Sequence, residues 1–111
     1  MKKNVTELLK QYTRGERTLE ETNAALAQTG FGLRLNPAKN VLTEAERRAT
    51  TVGEHPEDAN GWGLLDTGTG SLDKVQVKNG KLVHGGCGEI HALCLIADRV
   101  YKVEDDTLVE G

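Results

Sequence analysis

The chain has 111 residues, 37% hydrophobic and 28% charged, with a formal net charge of −3. That length leaves room for one small domain and an appendage, and so high a charge content excludes a chain built for the bilayer. No apolar run approaches the ~20 residues that span a membrane, and no apolar segment follows the basic start Met1-Lys2-Lys3, so neither an anchor nor a secretory signal is expected.

Val5, Leu8, Leu9 and Tyr12 fall at i, i+3, i+4 and i+7, which predicts a helix over about 4–13, ended by Gly15. Thr18 stands three residues before Glu21, a capping-box spacing that opens a second helix running to about Thr29, with Gly30 as its stop. Its apolar face is Leu19, Ala25 and Leu26 with Thr22 between them. Together the two helices make a hairpin over 1–35, in which 31–35 is a short strand or an extended linker. Thr43 and Glu46 repeat the capping-box spacing and predict a short helix over 44–50. Residues 51–60, with Gly53 and Pro56, read as a flexible linker that closes a middle segment of 36–60.

Near residue 60 the chain changes character. The first 60 residues hold four glycines; the last 51 hold nine, with the only Trp and both Cys. From here the apolar period is two, with strands expected over 62–66 and 72–78. Asn79-Gly80 is a two-residue hairpin signal, because a type I′ turn needs positive φ at both positions. It pairs Lys78 with Lys81, Val77 with Leu82 and Val75 with His84. Residues 90–96 are apolar at nearly every position, which predicts a central strand covered on both faces. Asp105-Asp106 turns a last hairpin between 100–103 and 107–109. The expected fold is therefore α+β: an N-terminal helical hairpin followed by a small antiparallel β-meander of about five strands over 61–111.

Charge is uneven, +3 over residues 1–50 and −6 over 51–111. The basic side chains of the first half alternate with Glu7, Glu16, Glu20 and Glu21, and residues 19–29 carry no Lys or Arg. A recognition helix for nucleic acid normally carries several, so solvated helix faces explain the charge better.

Three sets of residues invite chemical readings. Leu64-Leu65-Asp66-Thr67-Gly68-Thr69 has the form of an aspartic-protease turn, but Ala97, in the later apolar segment, is only 31 positions beyond Asp66, too few for the flap and returning strands. A loop between strands accounts for Asp66 and the glycines after it. His84, Cys87, His91 and Cys94 form a compact His/Cys cluster suited by residue type to zinc. In a strand, however, His91 and Cys94 have opposite parity and point to opposite faces, so the cluster is the weaker alternative to a buried, reduced Cys94. Cys87 beside Gly85, Gly86 and Gly88 has the types of a nucleophile and oxyanion site, and a wide glycine turn explains the same residues. No catalytic residue, metal ligand or cofactor is expected, and two cysteines without a signal peptide point to the cytoplasm.

Residues 5–28, through Leu8, Leu9, Tyr12, Gly15, Glu16, Thr18, Glu20 and Glu21, resemble the helical hairpin of the short C-terminal (SHOCT-type) domain, which implies an interaction or oligomerisation element. More broadly, Thr18-Leu19-Glu20-Glu21-Thr22-Asn23 and the stretch from Gly61-Trp62-Gly63 to Asp73-Lys74-Val75 resemble small uncharacterised phage and prophage proteins of gut Firmicutes. That resemblance implies a bacterial or phage origin and no activity. The expected role is non-enzymatic, through contacts with an unidentified protein partner; a zinc-stabilised binding module is the alternative, and a hydrolase using Asp66 or Cys87 the third reading.

Overall fold

The structure, a computed structural model, describes residues 3–37, 41–66, 70–83 and 92–110. Helix α1 (Lys3–Thr13) and helix α2 (Leu19–Thr29) form the hairpin. Gly15, at φ 80°, makes the turn between them. The Thr18 hydroxyl accepts from Glu21 N–H at 3.1 Å, the Glu21 carboxylate accepts from Thr18 N–H at 3.0 Å, and Gly30 closes α2 in the left-handed conformation. Helix α3 (Glu44–Arg48) opens on the same box, built from Thr43 and Glu46.

The strands are β1 (Arg34–Leu35), β2 (Gly61–Asp66), β3 (Ser71–Lys78), β4 (Lys81–Leu82), β5 (Ala92–Ile96), β6 (Arg99–Glu104) and β7 (Thr107–Glu110). They do not form an open meander of about five strands. Six of them, in the order β3-β2-β5-β6-β7-β4, close into an antiparallel barrel, because β4 pairs with both β3 and β7. Strand β1 is an addition, running parallel to β3 with Leu35 opposite Leu72. Each half of the barrel, β2-β3-β4 and β5-β6-β7, is a three-stranded meander. The halves join twice, β2 to β5 and β4 to β7, both antiparallel. Closure removes the two edges an open meander would expose.

Both tight turns anticipated from sequence are present. Asn79 and Gly80 have φ 52° and 76°, and they set Lys78 opposite Lys81 and Val77 opposite Leu82. Asp105 and Asp106, at φ 50° and 60°, do the same between β6 and β7. The pairing expected for Val75 with His84 lies outside the described residues.

Strand alternation sorts the apolar side chains into two cores. Leu65, Val77, Leu82, Ala92, Cys94, Ile96, Tyr101, Val103 and Leu108 fill the barrel. Leu64, Leu72 and Leu95 point outward, where Val5, Leu9 and Tyr12 of α1, Leu19 and Leu26 of α2, and Leu35 and Leu42 cover them. Strand β5 feeds both cores, which is why its sequence shows no alternation. The helical hairpin is thus a layer on the barrel, with its apolar stripe already buried.

Residues 51–60, expected as a linker, fold back on themselves. Thr51 and Asn60 form a bridge, Pro56–Asp58 is a 3-10 turn, and Ala59 is fully buried among the barrel residues. The Asn60 Oδ1 accepts from Asn79 N–H at 2.9 Å, and Ala59 carbonyl accepts from Gly80 N–H at 2.9 Å. The loop therefore seats against the β3–β4 turn.

Candidate functional site

Asp66 ends β2, level with Leu72 of β3 and Leu93 of β5. It sits inside a strand ladder, and the residues that would complete a protease-type turn, Thr67 to Thr69, lie outside the described residues. So do His84, Cys87, His91 and the glycines around them, and with them the zinc and nucleophile readings of that segment. Cys94 is described. It is fully buried in the barrel between Leu65 of β2 and Tyr101 of β6. Among the described residues no three His, Cys, Asp or Glu side chains are grouped to hold a metal ion.

Several charged groups serve as struts between layers. Arg47 of α3 donates to the Tyr12 carbonyl at 2.9 Å and the Thr13 carbonyl at 3.2 Å, capping the end of α1, and its guanidinium lies 5.3 Å from the Tyr12 ring centre. The Tyr12 hydroxyl accepts from Leu42 N–H at 2.9 Å. Lys74 of β3 donates to Glu46 of α3 at 3.0 Å and to the Val41 carbonyl at 3.1 Å, with its ammonium 5.2 Å from the Trp62 ring centre. Burial alone would raise the Glu46 carboxyl; the Thr43 N–H and Lys74 outweigh it and hold the group below the usual carboxylate range. Arg14 bridges Glu16 at 2.6 Å and Asp98 at 2.7 Å, tying the end of α1 to the β5–β6 turn.

One depression, of about 380 Å³, lies at the α1–α2 turn beside Arg17, Val41 and Arg47, and another lies between α2 and β1. Gly30 and Gly32, at φ 76° and 73°, turn the chain back beside the helix, and Phe31 between them is 50% exposed. The bend leaves a groove of about 520 Å³, with Asn23, Ala24 and Ala27 on one wall and Gly32, Leu33 and Arg34 on the other. A second depression of about 600 Å³ adjoins it past Arg34, toward Asn36 and Ser71. Asn23 fixes the floor through two hydrogen bonds to Leu35. Ala24, Ala27, Phe31 and Arg34 are all exposed. The groove thus offers the side chains of Ala24, Ala27 and Leu33 with the Arg34 cation beside them.

Sequence reasoning missed this surface. The sequence pattern assigns Phe31 to a strand or linker, yet a large aromatic between two glycines at a helix stop is a local signal of a presented side chain. Nothing local marks Asn23, whose partner is twelve residues away.

The chain matches no protein-family model, no curated protein and no solved structure. No helix among the described residues is long and apolar enough to cross a membrane.

Proposed function

We propose that this is a non-enzymatic, small phage- or prophage-type protein that acts through protein contacts, and that the α2–β1 groove is its contact surface. The observation that carries the reading is Phe31, held half exposed by flanking left-handed glycines and next in sequence to Gly32, which lines the groove with Ala24, Ala27 and Leu33. Support also comes from the charged side chains: Arg14, Arg47, Glu46 and Lys74 are engaged in joining helices to barrel. The resemblance of Gly61 to Val75 to small phage proteins supports the source class. An affinity capture from the native host tests it. Wild-type protein should enrich a specific partner, and Phe31→Asp should lose that partner while melting at the same temperature. Equal capture by both forms would remove the groove from the proposal.

A further inference from the structure

We infer that Asn79 is a site of spontaneous deamidation, latent while the 51–60 loop sits on the β3–β4 turn and reactive when that loop lifts.

The sequence holds two Asn-Gly pairs, Asn60-Gly61 and Asn79-Gly80. In such a pair the glycine backbone nitrogen can attack the asparagine side-chain carbonyl carbon, because no Cβ stands in the way. The nitrogen gives its proton to solvent, ammonia leaves with the side-chain nitrogen, and a five-membered imide closes. Water then opens the imide at either carbonyl, leaving aspartate or isoaspartate. The structure separates the two pairs. Asn60 is pinned at both side-chain polar atoms: Oδ1 accepts from Asn79 N–H at 2.9 Å and Nδ2 donates to the Asp58 carbonyl at 3.2 Å. Its glycine, Gly61, lies in the β2–β3 ladder opposite Val77, and a Cβ there would stand 2.4 Å from Thr50 Cα. Asn79 is the opposite case. It is exposed at the tip of a two-residue turn, and its side chain makes no hydrogen bond among the described residues. Its neighbour restrains it. Gly80 is buried, its N–H donates to the Ala59 carbonyl at 2.9 Å, and Pro56 and Glu57 lie over it. The reactive amide thus stands in water while its nucleophile is covered, and local opening of the loop brings the two together.

The same glycine links the modification to the fold. The Gly80 carbonyl accepts from Leu108 N–H at 2.7 Å, across the β4–β7 seam that closes the barrel. Isoaspartate at position 79 routes the main chain through the side-chain carbonyl and lengthens it by one methylene directly before Gly80. Gly80 then loses its place between Ala59 and Leu108, and the seam loosens. Ordinary aspartate leaves the main chain unchanged and tolerates the left-handed conformation, as Asp105 and Asp106 do in the β6–β7 turn.

The test is ageing of the full chain in warm, mildly alkaline buffer. Peptide mapping by mass spectrometry locates each converted asparagine, and enzymatic methyl transfer from S-adenosylmethionine counts isoaspartate. In the native protein conversion should be slow and confined to Asn79. The urea-denatured chain should convert at both Asn60 and Asn79, and at Asn79 about tenfold faster or more than the native protein. Asn60→Ala removes one of the two hydrogen bonds that hold the loop on the turn. It should speed conversion at Asn79 about fivefold, the factor that one ordinary hydrogen bond puts on an opening equilibrium. Urea below the unfolding midpoint should likewise speed Asn79 in wild-type protein, which keeps the gate testable if Asn60→Ala does not fold. The isoaspartate form should melt below the unaged protein, whereas Asn79→Asp should melt close to it. Equal rates at Asn79 in native and denatured protein, a native Asn60 that converts first, or an Asn79 that converts in neither the loosened nor the denatured chain would each overturn the inference. An isoaspartate form that melts with the unaged protein would overturn the link to the barrel seam.

Discussion

The side chain of Asn23 pairs with the backbone of Leu35 as a neighbouring strand would: its Nδ2 donates to the Leu35 carbonyl at 2.8 Å and its Oδ1 accepts from the Leu35 N–H at 2.8 Å. Leu35 is 1% exposed, so both backbone groups depend on this partner. Asn23→Asp keeps the acceptor and loses the donor; Asn23→Ala loses both. Each should cost about 1–3 kcal/mol in urea unfolding. A loss below about 0.5 kcal/mol in Asn23→Ala would show that β1 is not held this way.

Gly80 and Gly53 make a second test. Gly80 has φ 76°, and a Cβ there would stand 2.6 Å from the Pro56 carbonyl oxygen and 2.8 Å from Glu57 Cα. Gly80→Val should cost more than the ~1–2 kcal/mol of left-handed strain alone, because backbone of the 51–60 loop must also move. A linker reading of that loop makes Gly53→Ala silent. The structure corrects this: a Cβ on Gly53 falls 2.6–2.9 Å from the Asp58 side chain, whose carboxylate accepts from His55 N–H. Gly53→Ala should lower the unfolding midpoint measurably, by less than Gly80→Val.

Ala97 holds φ 52° in the β5–β6 turn without a glycine or asparagine to make that cheap. Its carbonyl accepts from the Thr13 hydroxyl at 2.7 Å, a bond that glycine preserves. Ala97→Gly relieves about 1–2 kcal/mol of strain against an entropic cost of about 0.5–1 kcal/mol, so it should stabilise the protein slightly. A lower melting temperature for Ala97→Gly would contradict the turn conformation.

Inside the barrel, the Tyr101 hydroxyl is buried and has no hydrogen-bond partner among the described residues. An unsatisfied buried hydroxyl costs about 1–3 kcal/mol. Tyr101→Phe should therefore be neutral or stabilising, whereas Tyr101→Leu should destabilise by leaving part of the ring volume empty. Equal losses in both variants would mean that the hydroxyl is satisfied.

Acid titration tests the α3 strut. The Glu46 carboxyl titrates below its unfolded value of 4.5 in the folded protein. A depressed carboxyl contributes stability that is complete above the unfolded value and is lost as pH falls through the folded one. Stability should thus decline below about pH 4.5, and Glu46→Gln should flatten part of that decline while lowering stability at neutral pH. An unchanged acid limb in Glu46→Gln would place the pH dependence elsewhere.

What the sequence made legible was short-range. Thr18 with Glu21, Thr43 with Glu46, and Asn79-Gly80 each act within a few residues, and their side-chain chemistry leaves few alternatives. The uninterrupted apolar run ending at Ile96 likewise marked a strand covered on both faces. Barrel closure was invisible because it rests on backbone bonds between distant residues. Leu82 N–H donates to the Asp106 carbonyl at 2.9 Å and Leu108 N–H to the Gly80 carbonyl at 2.7 Å, contacts that no periodicity announces. The parallel pairing of β1 with β3 and the seating of Ala59 in the barrel are hidden for the same reason. The groove beside Phe31 exists only once β1 has turned back along α2, so a linear reading met its residues without their juxtaposition.

Closure through β4 and β7 also orders events during synthesis. The seam needs Thr107, the first residue of the last barrel strand, to reach Lys81. A nascent chain can form the α1–α2 hairpin and the β2-β3-β4 meander early, since their contacts are close in sequence. The barrel itself waits for residues 107–110 to leave the ribosome. Until then β4 and β2 each present an unpaired edge, so the nascent protein passes through an adhesive state that the finished fold no longer has.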